Sequence, residues 1–560
     1  MPTIAVGTAA GTSIIRDNGT VANYKYTWST VRSTGVGFGN QAFSQMMHTA
    51  YSSAGTGLVV YDYVGSGDSA SSNLLGTLRE YHNGTVPAIG VSGSSIGKHQ
   101  QISDTEHAIG NVQYMALLDE DPVTPANGMV AYIASDYNTG WMVGDIKLAT
   151  LSDTDTANVT GSELVTNGTF ASNTTGWTVV AGTIAIASSQ LQLTGGGSST
   201  VVAYAQQTFA TTIGKAYTVS VDFISVSGGV NRYVYIGTST SGANRFNIVQ
   251  TANAQVVVGT NTFTFVAQST TSLISLGTYE AQVAVWDNVT VRLAEEDRSV
   301  NGNGLQVFGT VTKTAVATGA DLVGYSGFSS SNYLQQPPNT DLHFSMSDDF
   351  CLTGWFKESA NTGWPELIKL WDGAQSSNTV IQVFTYGTSK NIYFNIIDSD
   401  SSPTSKQTVA TSAYTLNTWV QFTAILRNGV MEIWVNGVLR SSNSDTASLG
   451  TITNSSTRLK IGTSGNSSIA LVRISATAPT AEQIAKMYRD EKPLFQENAQ
   501  ATLYGTSDAV TALAYDDDTE LLHVGTSAGR SVFQGLRRVD NTTDAVGAAI
   551  SASNGLVAED

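Results

Sequence analysis

Hydrophobic and polar residues alternate with a period of two through much of this chain, in short runs bounded by Gly, Asn, Asp and Ser. Tyr217–Phe223 (Tyr-Thr-Val-Ser-Val-Asp-Phe) shows the pattern, and a period of two marks a half-buried strand. Trp419–Leu426 and Met431–Val435 predict two further strands, joined by Asn428-Gly429 and followed by Asn436-Gly437. Asn-Gly is the preferred pair for a type I′ hairpin turn, so this stretch predicts a meander. One segment departs from the β pattern. Pro479–Glu491 has helical spacing, with Thr480 placed as N-cap, Gln483 completing a capping box, and Pro493 as the stop.

The two ends of the chain carry similar strings. Val6–Ile15 (VGTAAGTSII) reappears as Val524–Phe533 (VGTSAGRSVF), each reading as strand, tight Gly turn and strand. Val112–Asp121 and Val510–Asp518 both run from an apolar strand into an acidic turn, and another strand follows each. Residues 43–64 offer a third copy. Repeated antiparallel units of this length suggest propeller blades. A ring closes by joining its first and last strands, so residues 1–155 and 497–560 are expected to form one propeller-like domain.

The middle of the chain divides into two units. Residues 161–293 open with Leu164–Phe170 (LVTNGTF) and Gly176-Trp177, and close with Asp287-Asn-Val-Thr-Val291. These end motifs resemble the jelly-roll carbohydrate-binding modules found beside xylanases and glucanases. The resemblance implies that the two ends meet around a structural calcium, at positions matching Asn167, Gly168 and Asp287. The acidic residue that commonly follows the opening Phe is replaced by Ala171. In residues 298–478, Asp349–Trp355, Trp434–Gly437 and Leu471–Ser475 resemble the laminin-G/concanavalin-A-like jelly roll. The helix and its Lys492-Pro-Leu-Phe495 ending resemble the junction that follows such jelly rolls in bacteriophage tail-associated and fibre proteins.

The expected fold class is therefore all-β. A discontinuous propeller-like domain carries two inserted β-sandwich jelly rolls, with one short helix and linker (479–496) at the second insert's exit.

Composition narrows the function. Charged residues make up 13 % of the 560, Gly numbers 54 and the net charge is −17. Phosphate backbones need a Lys/Arg surface, so nucleic acid is not an expected partner. A single cysteine, Cys351, excludes a disulfide framework. No apolar run reaches the roughly 18–20 residues of a membrane span, and the first residues carry no basic n-region. Cytosolic synthesis of an adhesin-like composition suggests a virion protein, assembled in the host cytoplasm and released by lysis.

No catalytic constellation emerges. The Glu-x-Asp-x-x-Glu cluster of concanavalin-like glycosidases has no match in 298–478, where Glu366 and Asp372 lie six apart. The six histidines show no zinc spacing. The acidic triplets Asp119–Asp121 and Asp516–Asp518 read as solvated turns.

Sugar binding needs aromatic faces and fixed polar groups. In Arg232–Ile236 (RYVYI), Val234 and Ile236 are expected in the core, leaving Tyr233 and Tyr235 on the outer face beside Arg232. Trp364, between Gly363 and Pro365, is expected in an exposed loop. Trp177, Trp286, Trp355 and Trp419 are assigned to packing. The expected function is a non-enzymatic structural and adhesion protein of a tailed-phage virion. It would self-associate, bind other tail proteins and touch host surface glycan, with no required cofactor beyond the calcium the resemblance implies. The alternatives are a glycan depolymerase with accessory modules and a bacterial surface adhesin.

Overall fold

The computed structural model describes Ile89 and residues 98–196, 202–239, 248–252, 256–279, 281–360, 363–373, 380–398, 403–462 and 465–560. Within residues 4–82 it describes the strands alone. The protein is nearly all β, with one α-helix among the described residues. The repeated strings are hairpins: Ile4–Thr8 pairs with Gly11–Ile15, and Leu521–Thr526 with Gly529–Gln534. The chain's beginning also forms a four-stranded antiparallel sheet from Arg32–Phe38 to Leu78–His82, and a five-stranded sheet from Lys98–Gln101 to Met142–Val143. A four-stranded meander from Val510–Asp516 to Arg537–Asn541 lies near the C-terminus.

The C-terminal meander seats on the five-stranded sheet. Val510 N donates to Asn111 O and Leu503 N to Ala134 O. The buried Asn138 amide donates to Ala501 O and Leu536 O at 2.8 and 3.1 Å. Gly110 faces Val510 so closely that any Cβ there would lie 2.3 Å from the valine side chain.

The first sandwich stacks two five-stranded antiparallel sheets. One runs Gly182–Ala187, Gln190–Gly195, Val283–Glu295, Ala216–Ser227, Gly259–Val266. The other runs Thr178–Val180, Val202–Ala210, Thr271–Tyr279, Tyr233–Gly237, Val249–Ala252. Trp177, Phe223, Trp286 and Val289 fill the core between them. The predicted alternation is met: Tyr217, Val219, Val221 and Phe223 all face this core.

The second sandwich has a seven-stranded front sheet: Leu305–Ala315, Tyr333–Gln336, Arg458–Ile461, Glu366–Trp371, Val380–Tyr386, Asn391–Ile397, Ser405–Ala410. Its back sheet contains Ser467–Ser475, Phe350–Glu358, Val420–Arg427, Val430–Val435 and Val438–Asn443. Both Asn-Gly turns form: Asn428, Gly429, Asn436 and Gly437 all have φ between 48° and 78°, as type I′ turns require. The back sheet also takes in Ile146–Thr150, which pairs with Ser467–Ser475. This strand therefore completes the sandwich even though it lies within residues 1–155.

The two sandwiches share backbone hydrogen bonds. Ala294 pairs with Gln306 and Glu295 with Leu305, so their ladders run on into one nearly closed, barrel-like sheet.

Helix α1 (Ala481–Glu491) starts on the capping box of Thr480 and Gln483. It lays Ile484 against Cys351 and Ile425 on the back sheet. Its last residue, Glu491, is fully buried. One carboxylate oxygen accepts from Arg473 Nη2 at 2.6 Å and Trp141 N at 3.0 Å; the other accepts from Trp355 Nε1 at 2.7 Å. Burial pushes this carboxyl above its ordinary range, and Arg473 opposes that push. Trp355 then stacks on Phe495, with ring centroids 4.3 Å apart.

A second charged knot sits where the first sandwich hands over to the second. Lys313 Nζ and Arg298 Nη2 reach Asp153 at 2.9 and 3.0 Å, and Tyr325 OH donates to Glu295 at 2.6 Å. Burial, reinforced by the Asp153 charge, pushes Glu295 up to about 8.

Two predictions follow from these knots. Replacing Glu491 by Ala strands the buried Arg473 guanidinium, so E491A should lose about 3–5 kcal/mol, read as a lower urea midpoint. Glu295 binds a proton in the folded state at pH values where the unfolded chain has released it. Its contribution is full below the ordinary carboxylate range and is lost as pH rises toward 8. Relative to E295Q, the wild type should lose stability at up to about 1.4 kcal/mol per pH unit across that window, measured by melting at pH 5 to 8.5.

Candidate functional site

The back sheet of the second sandwich is covered by helix α1 and by the packed residues around Trp355, whereas the front sheet's outer face carries an aromatic surface at one end. Phe384 and Tyr386 alternate with core residues along Val380–Tyr386, so both point outward. Tyr393 lies directly across from Phe384 on the next strand, and their rings stack at 4.8 Å and 3°. Asn391 Nδ2 donates to the Tyr393 hydroxyl at 3.2 Å.

Trp364 completes this surface. Gly363 turns the chain at φ +74°, and Thr385 N donates to Pro365 O at 3.0 Å, pinning the loop beside the strand end. The indole then stacks on Tyr386 at 4.1 Å and 20°, and lies 5.7 Å from Phe384 and 5.9 Å from Tyr393. It stays 54 % exposed. Four rings held in a patch, one of them open to solvent, can stack against the apolar face of a sugar.

The other sequence candidates lie elsewhere. Tyr233 and Tyr235 do sit on the face opposite Val234 and Ile236, but they are only 8 % and 5 % exposed. The expected open platform is corrected to a closed cluster with Tyr204, whose ring lies 5.8 Å from Tyr235, and Tyr279, 5.4 Å from Tyr233. Gly277 is the physical reason. It stands opposite both Tyr204 and Tyr233, and a Cβ there would come within 3.1 Å of the Tyr204 ring and 3.2 Å of Tyr233 Cβ. Without that Cβ, the rings close over the sheet. Arg232 is likewise engaged inward: Nε donates to Val256 O at 2.6 Å and Nη1 to Val230 O at 3.0 Å.

The end motifs of the first sandwich meet, with Val289 N donating to Gly168 O. Glu163 joins them, accepting from Val165 N and Val291 N at 3.2 and 2.8 Å. The residues suggested for calcium do not fit a cation that takes six to eight oxygens. Asn167 turns its amide nitrogen, a donor, toward Asn173 O at 2.6 Å. Gly168 O is already engaged by Val289. Asp287 accepts from Asn288 N at 2.8 Å and pairs in register with Asp222. Among the described residues, no group of three or more His, Cys, Asp or Glu side chains is placed to hold a metal.

A cavity of about 190 Å³ lies between the five-stranded sheet, helix α1 and the C-terminal meander, lined by Trp141, Lys486, Tyr515 and Phe533 among others. Its charges answer one another: Lys486 pairs with Glu106 and, at 3.1 Å, with Asp490, which also accepts from Trp141 Nε1 at 3.0 Å. In the second sandwich, Glu366 pairs with Lys369 at 2.9 Å, and Asp372 accepts from Asn454 at 3.1 Å.

Residues 327–485 match the Laminin_G_3 model of the concanavalin A-like lectin/glucanases superfamily. The matched span holds most of the front sheet, all of the aromatic surface and the first turn of helix α1. No curated protein sequence matches the chain. Among solved structures, the chain is similar to the binding domain of Paraclostridial Mosquitocidal Protein 1, at 16 % identity and a TM-score of 0.28 over 35 % of this chain and 49 % of that one. The chain thus spans about half the length of that relative. It is similar to the Botulinum Neurotoxin serotype G binding domain at 14 % identity and 0.30, over 45 % and 68 % of the two chains. Domain 4 of AbnA, an extracellular arabinanase from Geobacillus stearothermophilus solved with arabinotriose, matches at 14 % and 0.27, over 34 % and 92 %.

The buried tyrosine cluster predicts a stability effect. Y233A and Y235A should each lower the unfolding free energy of the first sandwich by about 3 kcal/mol, near the low end for truncated aromatics. Thermal melts check the loss, and glycan binding by the purified variants should be unchanged.

Proposed function

We propose that the protein is a non-enzymatic glycan-binding adhesion protein of a tailed-phage virion, and that it holds glycan on the front sheet of its second sandwich. The observation that carries this reading is the open Trp364 indole, stacked on Tyr386 and backed by Phe384 and Tyr393, on a concanavalin A-like lectin-superfamily sandwich. The virion setting draws its support from the resemblance of the helix and Lys492–Phe495 junction to phage tail-associated proteins.

One such platform gives weak binding. Affinity for a cell surface would come from many copies of the chain acting together on one particle. The propeller-like part expected from residues 1–155 and 497–560, less the strand Ile146–Thr150 that the second sandwich takes, would then bind neighbouring copies and other tail proteins.

The test is Trp364→Ala. An aromatic stack contributes about 0.5–1.5 kcal/mol, so W364A should weaken binding to host surface polysaccharide about two- to tenfold. More than half of the indole is in solvent, so the melting temperature should barely move. Biolayer interferometry on immobilised polysaccharide reads the affinity. Release of new reducing ends from that polysaccharide would refute the non-enzymatic part of the reading.

A further inference from the structure

Beside the aromatic surface, the front sheet carries a row of cations that folding alone does not favour. Lys369 and Lys460 stand directly opposite each other on neighbouring strands, and Arg458 is the next outward residue, opposite Trp371. Like charges placed across a ladder destabilise it. The chain as a whole has a net charge of −17, which makes three clustered cations the more conspicuous.

Lys369 is paired directly with the Glu366 carboxylate at 2.9 Å, and the same carboxylate acts on Lys460 from farther off. Lys460 and Arg458 form no ion pair among the described residues. Lys460 Nζ instead lies over two rings, 4.1 Å from the Tyr333 centroid and 5.2 Å from that of Trp371. Two buried donors beneath this point, Arg458 Nε and Trp371 Nε1, lack an acceptor among the described residues. Partial burial, with Arg458 and Lys369 close by, pulls the Lys460 ammonium below its ordinary range. The row adjoins the platform: Lys369 pairs with Gln382, and Phe384 follows two residues along the same strand, about 7 Å away.

We infer that the glycan held on this sheet is anionic, with its carboxylate, sulfate or phosphate groups received by Lys460 and Arg458 while its sugar rings stack at Trp364. The inference rests on the glycan-binding reading and adds the ligand's charge. An oxyanion supplies what the row lacks, a counter-charge for the neighbouring Lys460 and Arg458 cations. Guanidinium and ammonium side by side offer a fork and a point charge, which suits repeating acidic groups along a polymer.

The experiment compares the full chain, W364A and the double variant K460Q/R458Q on immobilised polygalacturonate, dextran sulfate and a phosphate-bearing teichoic acid, with neutral dextran alongside. The wild type should bind at least one polyanion at least tenfold more tightly than dextran. The double variant should lose at least tenfold on that polyanion and change little on dextran. W364A should lose affinity on every polymer the wild type binds. Absence of a preference for any of the three polyanions overturns the inference, as does a double variant that binds them like the wild type. The two readings fail separately. If W364A weakens binding while K460Q/R458Q does not, the platform stands and the anionic class falls. If the reverse holds, the platform falls and the cationic row stands.

Discussion

The arrangement of the molecule depends on one buried carboxylate. Glu491 ends the helix, yet its oxygens are shared among Arg473 and Trp355 of the second sandwich and the backbone of Trp141, just ahead of the five-stranded sheet's strand Met142–Val143. An ion pair this deep repays its desolvation only when every lone pair and proton finds a partner, and here almost all do. Such a group tolerates little displacement of any of the three bodies. It therefore works as a specificity device, fixing how the second sandwich meets the parts formed by the chain's ends. Glu295, Asp153, Lys313 and Tyr325 do the corresponding work at the other handover.

Local rules read the strands and turns well. Period-two alternation places Tyr217–Phe223 and Met431–Val435, and Asn-Gly pairs place two hairpins, because each depends on a few adjacent residues. The capping box of α1 is equally local. The partnership between residues 98–143 and 499–541 left a trace too, in the matching strings Val112–Asp121 and Val510–Asp518. The role of Ile146–Thr150 left none, since its partner lies more than three hundred residues away in the chain.

The candidate site was legible only in part, for the same reason. Alternation assigns Tyr233 and Tyr235 to the correct face, but exposure is decided by residues on neighbouring strands. Gly277, Tyr204 and Tyr279 close that face, and their register with Tyr233 is invisible along the chain. Trp364 stood out through its Gly and Pro neighbours. Phe384, Tyr386 and Tyr393 carried the outward signal of their alternation but no sign that they would gather under one indole. Lys369 and Lys460 are ninety-one positions apart, and only strand pairing brings them face to face.

The pairing of Ile146–Thr150 with Ser467–Ser475 has a mechanical consequence. The chain leaves for its long excursion along one of these strands and comes back along the other, and the two are zipped together. The excursion thus has no single hinge. A tug on the far sheet loads both crossing points at once, as torque on a clamped double stem, with little swivel to absorb it.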